Sequence, residues 1–144
     1  MPTRQHGFTL VELILVLVVI GVLAAVVGPR FFDRAVFDER AAAEELRSGL
    51  RYAQKLAIAS GCKVRLACFT DPDDGKYKYQ LSRSCDGNAY QNVGKAEELA
   101  KKSDPEGFRI IFGSLGQPEF FDGNGSVSFD SQRISIEAET GYVR

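Results

Sequence analysis

A single histidine, His6, serves the whole 144-residue chain, and charge of neither sign dominates, with 18 basic and 19 acidic side chains. The balance removes the electrostatic footprint expected of a protein that grips nucleic acid or anionic surfaces. The scarcity of histidine removes the commonest general base. The chain also lacks a Ser/His/Asp set, paired carboxylates in a recognisable motif, metal-ligand spacing and a phosphate-cradling loop. Enzyme chemistry, a metal and a cofactor are therefore not expected. Internal repeats and low-complexity linkers are missing too, which leaves one modest domain plus a single unusual segment. Cysteines number three, enough for one disulfide with one thiol left over.

That unusual segment is a long apolar run. From Phe8 to Gly28 one residue in twenty-one is charged, and it is Glu12. As helix, at about 1.5 Å per residue, the run reaches about 32 Å, enough to cross a hydrocarbon core of about 30 Å. An acidic residue in such a helix costs about 2.5–3.5 kcal/mol at the bilayer centre and less near an end. A partner cation is the usual compensation. Gly28 and Pro29 then weaken the helix, because Pro removes a backbone donor and Gly costs about 1 kcal/mol relative to Ala.

Gly7-Phe8-Thr9-Leu10-Val11-Glu12 resembles the class III signal of type IV pilins and pseudopilins. The resemblance implies that a prepilin peptidase cuts after Gly7 and N-methylates Phe8, so that the apolar helix stays on the mature protein. Two local features agree: the processing site precedes the apolar run, and no A-x-A-like site follows it. Arg4, with His6, holds the leader in the cytoplasm by the positive-inside rule, which puts the rest of the chain in the periplasm. The expected organisation is a leader over 1–7, a transmembrane helix over 8–29 and a periplasmic head over 30–144. Localisation follows: a single-pass protein of the bacterial inner membrane that enters a filament. In the family, the carboxylate at the Glu12 position pairs with the terminal amine of a neighbouring subunit. In low dielectric either charge left alone is costly, so the pair would set one helix's register against the next.

Beyond the membrane segment, residues 30–60 read as helix. Ala42, Leu46, Leu50, Ala53 and Ala57 form one apolar stripe, with Asp38, Glu39, Glu44, Arg47 and Lys55 on more polar faces, and Ser60-Gly61 as the stop signal. The stripe needs only a sheet to pack on. Cys62, Val64, Leu66 and Cys68 then alternate with Lys63 and Arg65, as Tyr77, Tyr79 and Leu81 do with Lys76, Lys78 and Gln80. Thr70-Asp71-Pro72-Asp73-Asp74-Gly75 supplies a turn between them. A hairpin centred there sets Cys62 opposite Cys85 and Cys68 opposite Tyr79. In an oxidising periplasm this favours a Cys62–Cys85 disulfide with Cys68 buried as a small apolar side chain. Cys68–Cys85, which needs the second strand to fold back, stays open. A catalytic thiol finds no support, because His6 leaves with the leader.

Residues 86–107 read as a polar connection with a short helix at 95–102. From Phe108 the pattern is β: 108–112, 118–121, 126–129, 134–138 and 142–143, with a turn at Asp122-Gly123-Asn124-Gly125. The fold class is α+β, a long amino-terminal transmembrane and amphipathic helix packed on an antiparallel β-sheet head, as in the type IV pilin fold. Phe37-Asp38-Glu39-Arg40, the run Leu50-Arg51-Tyr52-Ala53-Gln54 through Ser60-Gly61-Cys62, and Ile134-x-Ile136 with Thr140-Gly141-Tyr142-Val143 resemble the minor pseudopilins of the GspH/FimT type. Pro29-Arg30-Phe31-Phe32-Asp33-Arg34 is similar to minor pilins of the mannose-sensitive haemagglutinin (MSHA) pilus. The resemblance implies a minor pilin or pseudopilin that primes or caps an MSHA-like type IV pilus or a type II secretion pseudopilus. Its implied partners are prepilin peptidase, other pilins and an inner-membrane assembly platform.

Two further site readings lose to simpler ones. Asp71-x-Asp73-Asp74-Gly75 has the opening acids of a calcium loop, but loop positions six and twelve hold Lys76 and Ser82, so a hairpin turn fits better. Asp122-Gly123-Asn124-Gly125-Ser126 fails likewise, with Val127 and Arg133 there, and its glycosylation sequon is coincidental in a bacterial filament protein. Some FimT-type pilins capture DNA through a basic carboxy-terminal Gly-Arg-x-Arg. Here the end reads Gly141-Tyr142-Val143-Arg144, and Arg109 and Arg133 are accompanied by Asp130, Glu137 and Glu139. Phosphate binding needs several neutralised charges at once, so DNA uptake is the weaker alternative.

Overall fold

The computed structural model describes residues 8–27, 34–87, 89–121 and 125–144. The chain divides into two compact units, Met1–Arg34 and Ala35–Arg144. In the first lies helix α1 (Leu10–Val27). Leu and Val crowd every side of it, so it has no polar face, and its large apolar side chains from Leu10 to Leu23 are exposed. A helix apolar all round is built to be surrounded by something other than water.

The second unit is a helix on a sheet. Helix α2 (Arg34–Ser60) buries the expected stripe of Ala42, Leu46, Leu50, Ala53 and Ala57 completely. Small residues on this face let the helix lie close. At Gly49 an added Cβ would stand 2.8 Å from Cε2 of Tyr79, which explains a glycine in a helix interior at a cost of about 1 kcal/mol relative to Ala. The helix ends at Ser60, and Gly61 follows with φ +66°.

Strands β1 (Lys63–Thr70) and β2 (Tyr77–Ser84) form the hairpin in the expected register, with Cys68 opposite Tyr79 and Lys63 opposite Ser84. Period-two alternation sends Val64, Leu66, Cys68, Tyr77, Tyr79 and Leu81 into the core. Strand β3 (Gln91–Glu98) joins the outer edge of β2, while β4 (Arg109–Phe112) and β5 (Pro118–Phe121) extend the sheet on the other side. The order is β3-β2-β1-β4-β5, with every neighbouring pair antiparallel. A separate hairpin of β6 (Ser126–Phe129) and β7 (Gln132–Ser135) adds Val127, Phe129 and Ile134 to the same core. This is the α+β, helix-on-antiparallel-sheet class expected of a pilin head.

Three local expectations need correction. Residues 95–98, expected to begin a short helix, belong to strand β3. Lys95-Ala96-Glu97-Glu98 has good helix formers, but β2 offers an unpaired row of backbone groups, and pairing with them outweighs weak local propensity. The last expected strand of the β6–β7 hairpin begins two residues early, at Gln132 rather than Ile134. Asp130 takes φ +46° and closes a tight turn with Ser131, so Phe129 pairs with Gln132. Residues 142–143 form no strand, only the bridge between Ile136 and Val143. The turn expected at 122–125 falls mostly on residues 122–124, outside the described ones, as does the Gly28-Pro29 break.

Candidate functional site

The amino-terminal signal begins at Gly7, which lies outside the described residues; Phe8 and Thr9 precede α1, and Phe8 is exposed. Thr9 starts the helix. Its Oγ1 accepts the Glu12 backbone N–H at 3.2 Å, and its carbonyl accepts the N–H of Leu13 at 3.2 Å. Thr9 is thus the N-cap and Glu12 the third helical residue, the Thr-x-x-Glu spacing of a capping box. A carboxylate in the first turn is also favoured by the helix dipole, by about 0.3–1 kcal/mol at exposed sites. This cap was legible in the sequence as Thr9-Leu10-Val11-Glu12, but the processing motif absorbed the same residues.

Among the described residues no helix is long and apolar enough to cross a membrane. The 18 residues of α1 correspond to about 27 Å of helix, against about 30 Å of hydrocarbon. The expected span of 8–29 runs on into residues 28 and 29, which are not among the described ones.

In the head, the hairpin register continues one pair beyond Lys63 and Ser84 and brings Cys62 against Cys85, joined as a disulfide with the Cα atoms 4.5 Å apart. Cys62 is all but buried at the end of α2, whereas Cys85 is exposed. Cys68 is a free thiol in the core, and burial pushes its pKa up to about 12. A thiol so hard to ionise is a poor nucleophile.

The acidic turn is occupied from within. Asp71 and Asp74 both grip Lys78 Nζ, each at 2.7 Å, and each accepts a backbone N–H two residues on, from Asp73 and Lys76. Lys78 lowers both carboxyls and is itself raised by them. These are Asx-type turn bonds closed by an ion pair. Among the described residues no group of His, Cys, Asp and Glu side chains could hold a metal ion. At the other end of the head, Arg144 pairs with Glu137 at 3.0 Å, so its charge is locally offset rather than presented to a phosphate.

Two clusters bind distant parts of the head and escaped the sequence reading. Glu39, on the first turns of α2, accepts from Lys101 Nζ and Ser131 Oγ, both at 2.8 Å, and Lys101 also pairs with Asp130. Lys101 and Ser131 hold the Glu39 carboxyl down at about 2. Near the other end of α2, the Gln54 amide donates to the carbonyls of Gly116 and Thr140 at 3.0 and 2.9 Å. Arg51 donates to the Val143 carbonyl at 3.1 Å. The carboxy-terminal turn lies so close that a Cβ at Gly141 would overlap the Gly116 carbonyl oxygen. Arg51 and Gln54 belong to the run that carries the family resemblance, yet their partners stand 62 to 92 residues away, where local pattern gives no signal.

Comparison with known proteins divides the chain much as its chemistry does. Residues 2–28 match the prokaryotic N-terminal methylation motif. Residues 42–144 match the family of type II transport protein GspH. Among curated proteins, a type IV narrow pilus major component of Thermus thermophilus, PilA5, is 35% identical over 74 residues, covering 50% of this chain and 64% of that protein. A fimbrial protein of Pseudomonas aeruginosa is 32% identical over 80 residues, covering 56% of this chain and 51% of its own. The chain thus spans between half and two thirds of the length of these curated relatives. No solved structure is a significant match.

Proposed function

This chain belongs to the family of type II transport protein GspH, and from that premise we propose that it is a minor pilin or pseudopilin. In this reading it is a structural subunit, without catalytic chemistry, that primes or caps an MSHA-like type IV pilus or a type II secretion pseudopilus. Prepilin peptidase removes residues 1–7 and methylates Phe8. The helix of 8–29 anchors the protein in the inner membrane in a single pass, with the head in the periplasm, until the assembly platform passes it into a filament beside other pilins.

The observation that carries this reading is α1 itself: an all-apolar helix opened by Thr9, with Glu12 as its one charge, behind a methylation motif. The new amine of Phe8 supplies the cation that the Glu12 carboxylate of a neighbouring subunit lacks, and in low dielectric the two charges are worth keeping together. The similarity to pilus and fimbrial subunits supports filament membership. The minor role rests on the GspH membership, since the Thermus relative is described as a major component.

Processing is tested by Gly7→Leu in cells with and without prepilin peptidase. Wild type should shift to a shorter band only with the peptidase, and Gly7→Leu should not shift. Cleavage that ignores either change refutes the reading. Counting subunits in purified filaments tests the minor role, and stoichiometric dominance would refute it.

A further inference from the structure

We propose that the head offers one docking face, built by the outer side of α2, the β4–β5 loop and the carboxy-terminal turn, and that it takes an acidic, amphipathic helix of a different pilin-like subunit. This partner presupposes the filament-subunit reading and suits a subunit that starts or ends a filament of other pilins.

Among the described residues of the head, six large apolar side chains are exposed: Val36, Phe37, Tyr52, Ile58, Leu115 and Tyr142. The last four gather on one side. Ile58 packs so closely on Gly116 that an added Cβ there would meet Ile58 Cδ1 at 2.7 Å, and a Cβ at Gly141 would overlap the Gly116 carbonyl oxygen. Leu115 and Tyr142 are the chain neighbours of those two glycines, and Tyr52 stands two residues before Gln54, whose amide holds both turns. Leu115 is 82% exposed, Tyr142 55%, Tyr52 54% and Ile58 53%, while the head buries Phe108, Phe112 and Phe129 almost completely. Large apolar side chains gathered on one side and left in water are the mark of a contact surface, and tyrosine is a type enriched in such surfaces.

The same side supplies a track for a helix and cations to hold it. Ser48, Arg51, Lys55 and Ile58 follow one another at helical spacing along α2, and Glu44, Ser48, Arg51, Tyr52 and Lys55 line a groove of about 460 Å³. A groove that runs along one helix receives the ridge of another, and the small Ser48 lets its backbone approach. Among the described residues Lys55 makes no ion pair, and Arg51 meets the neutral carbonyl of Val143 but no carboxylate. Nearby acids are mostly engaged: Glu44 by Arg47, Glu119 by Lys63 and Glu137 by Arg144. Glu139, exposed before the carboxy-terminal turn, has no ion pair among the described residues, so two cations stand against one carboxylate. A carboxylate arriving on a partner helix is attracted, while Leu115, Ile58 and both tyrosines lose water around it. Val36 and Phe37 lie apart at the start of α2, beside Asp38 and Arg40, whose charges cancel, so a second copy would bring no negative surplus there. A chain that repeats along a filament needs two patches that fit each other; a single patch suits a subunit that meets a different neighbour.

The test uses the full chain in cells that process and assemble it, with a photo-crosslinking amino acid replacing the exposed Leu115. The expected adduct joins it to a different protein that carries an N-terminal methylation motif, through a peptide of that protein's long helix containing Asp or Glu. Lys55→Glu should lower the yield about fivefold, and reversing the partner's carboxylate to Lys should restore it to within about twofold. Adducts confined to a second copy, to lipid, to proteins without that motif or to another part of the partner would overturn the proposal, as would a yield indifferent to Lys55→Glu. Recovery in sheared filaments separates the two readings. Incorporation without the expected adduct rejects this face and leaves the filament reading standing. A charge-dependent adduct without incorporation supports the face and rejects the filament reading.

Discussion

Thr9 and Glu12 are joined through the backbone, the Thr9 hydroxyl accepting the Glu12 N–H at 3.2 Å, so the residue that starts α1 also holds the backbone of the residue that carries its one carboxylate. Capping and charge can therefore be separated. Thr9→Ala should cost about 1 kcal/mol of helix-start stability and leave filament incorporation largely intact. Glu12→Ala should leave peptidase cleavage largely intact and sharply lower incorporation, because in the proposed function it removes the partner of the Phe8 amine. Processing gels beside filament yields read both, and wild-type incorporation of Glu12→Ala would remove Glu12 from the mechanism.

The bridge between Cys62 and Cys85 closes a sequence separation of 23 residues, for which the chain-entropy model gives about 3 kcal/mol. Replacing both cysteines by Ser should lower the midpoint of thermal unfolding of the head by about 10 °C or more. Non-reducing peptide mapping should recover Cys62 with Cys85. A Cys68-containing bridge, or three free thiols, would contradict the register argument.

Cys68 should resist alkylation by iodoacetamide at neutral pH while the head is folded, since burial holds its thiol near 12, and should react fully in denaturant. Mass spectrometry before and after unfolding decides it. Rapid labelling of the native head would mean that the core opens around β1 and β2.

Glu39 titrates far below its usual value of 4.5, at about 2. A depressed carboxyl stabilises the fold above its unfolded pKa and loses that contribution as pH falls through the folded one. Stability should therefore decline between about pH 4.5 and pH 2. Glu39→Gln should be less stable at neutral pH and flatter over that window in thermal melts. An unchanged acid limb would show that Lys101 and Ser131 do not hold the group in solution.

Gln54→Ala strips one donor from two carbonyls and should cost about 1–3 kcal/mol. Gly141→Ala meets the Gly116 carbonyl at a backbone φ of +70° and should cost at least as much. Urea titration of the protein measures both. Near-neutral effects would show that the Gln54 bonds and the close Gly141–Gly116 approach do not hold the carboxy-terminal turn.

Whatever repeats at short range was legible in the sequence. The α2 stripe has the helical period, the Cys62-to-Cys68 alternation has the strand period, and an Asp-rich turn between two such strands sets their pairing register, so Cys62 and Cys85 could be matched by counting. The methylation motif and the apolar run are local too. Choices between near-equal local options were left to the tertiary structure. Lys95-Ala96-Glu97-Glu98 suits a helix by a few tenths of a kcal/mol per residue, and the open edge of β2 outweighs it with backbone hydrogen bonds. Ser131 and Lys101 find Glu39, and Thr140 finds Gln54, only after the chain has folded back. Single side chains that meet across 62 to 92 residues leave no period behind them, so their pairing is decided by packing and not by pattern.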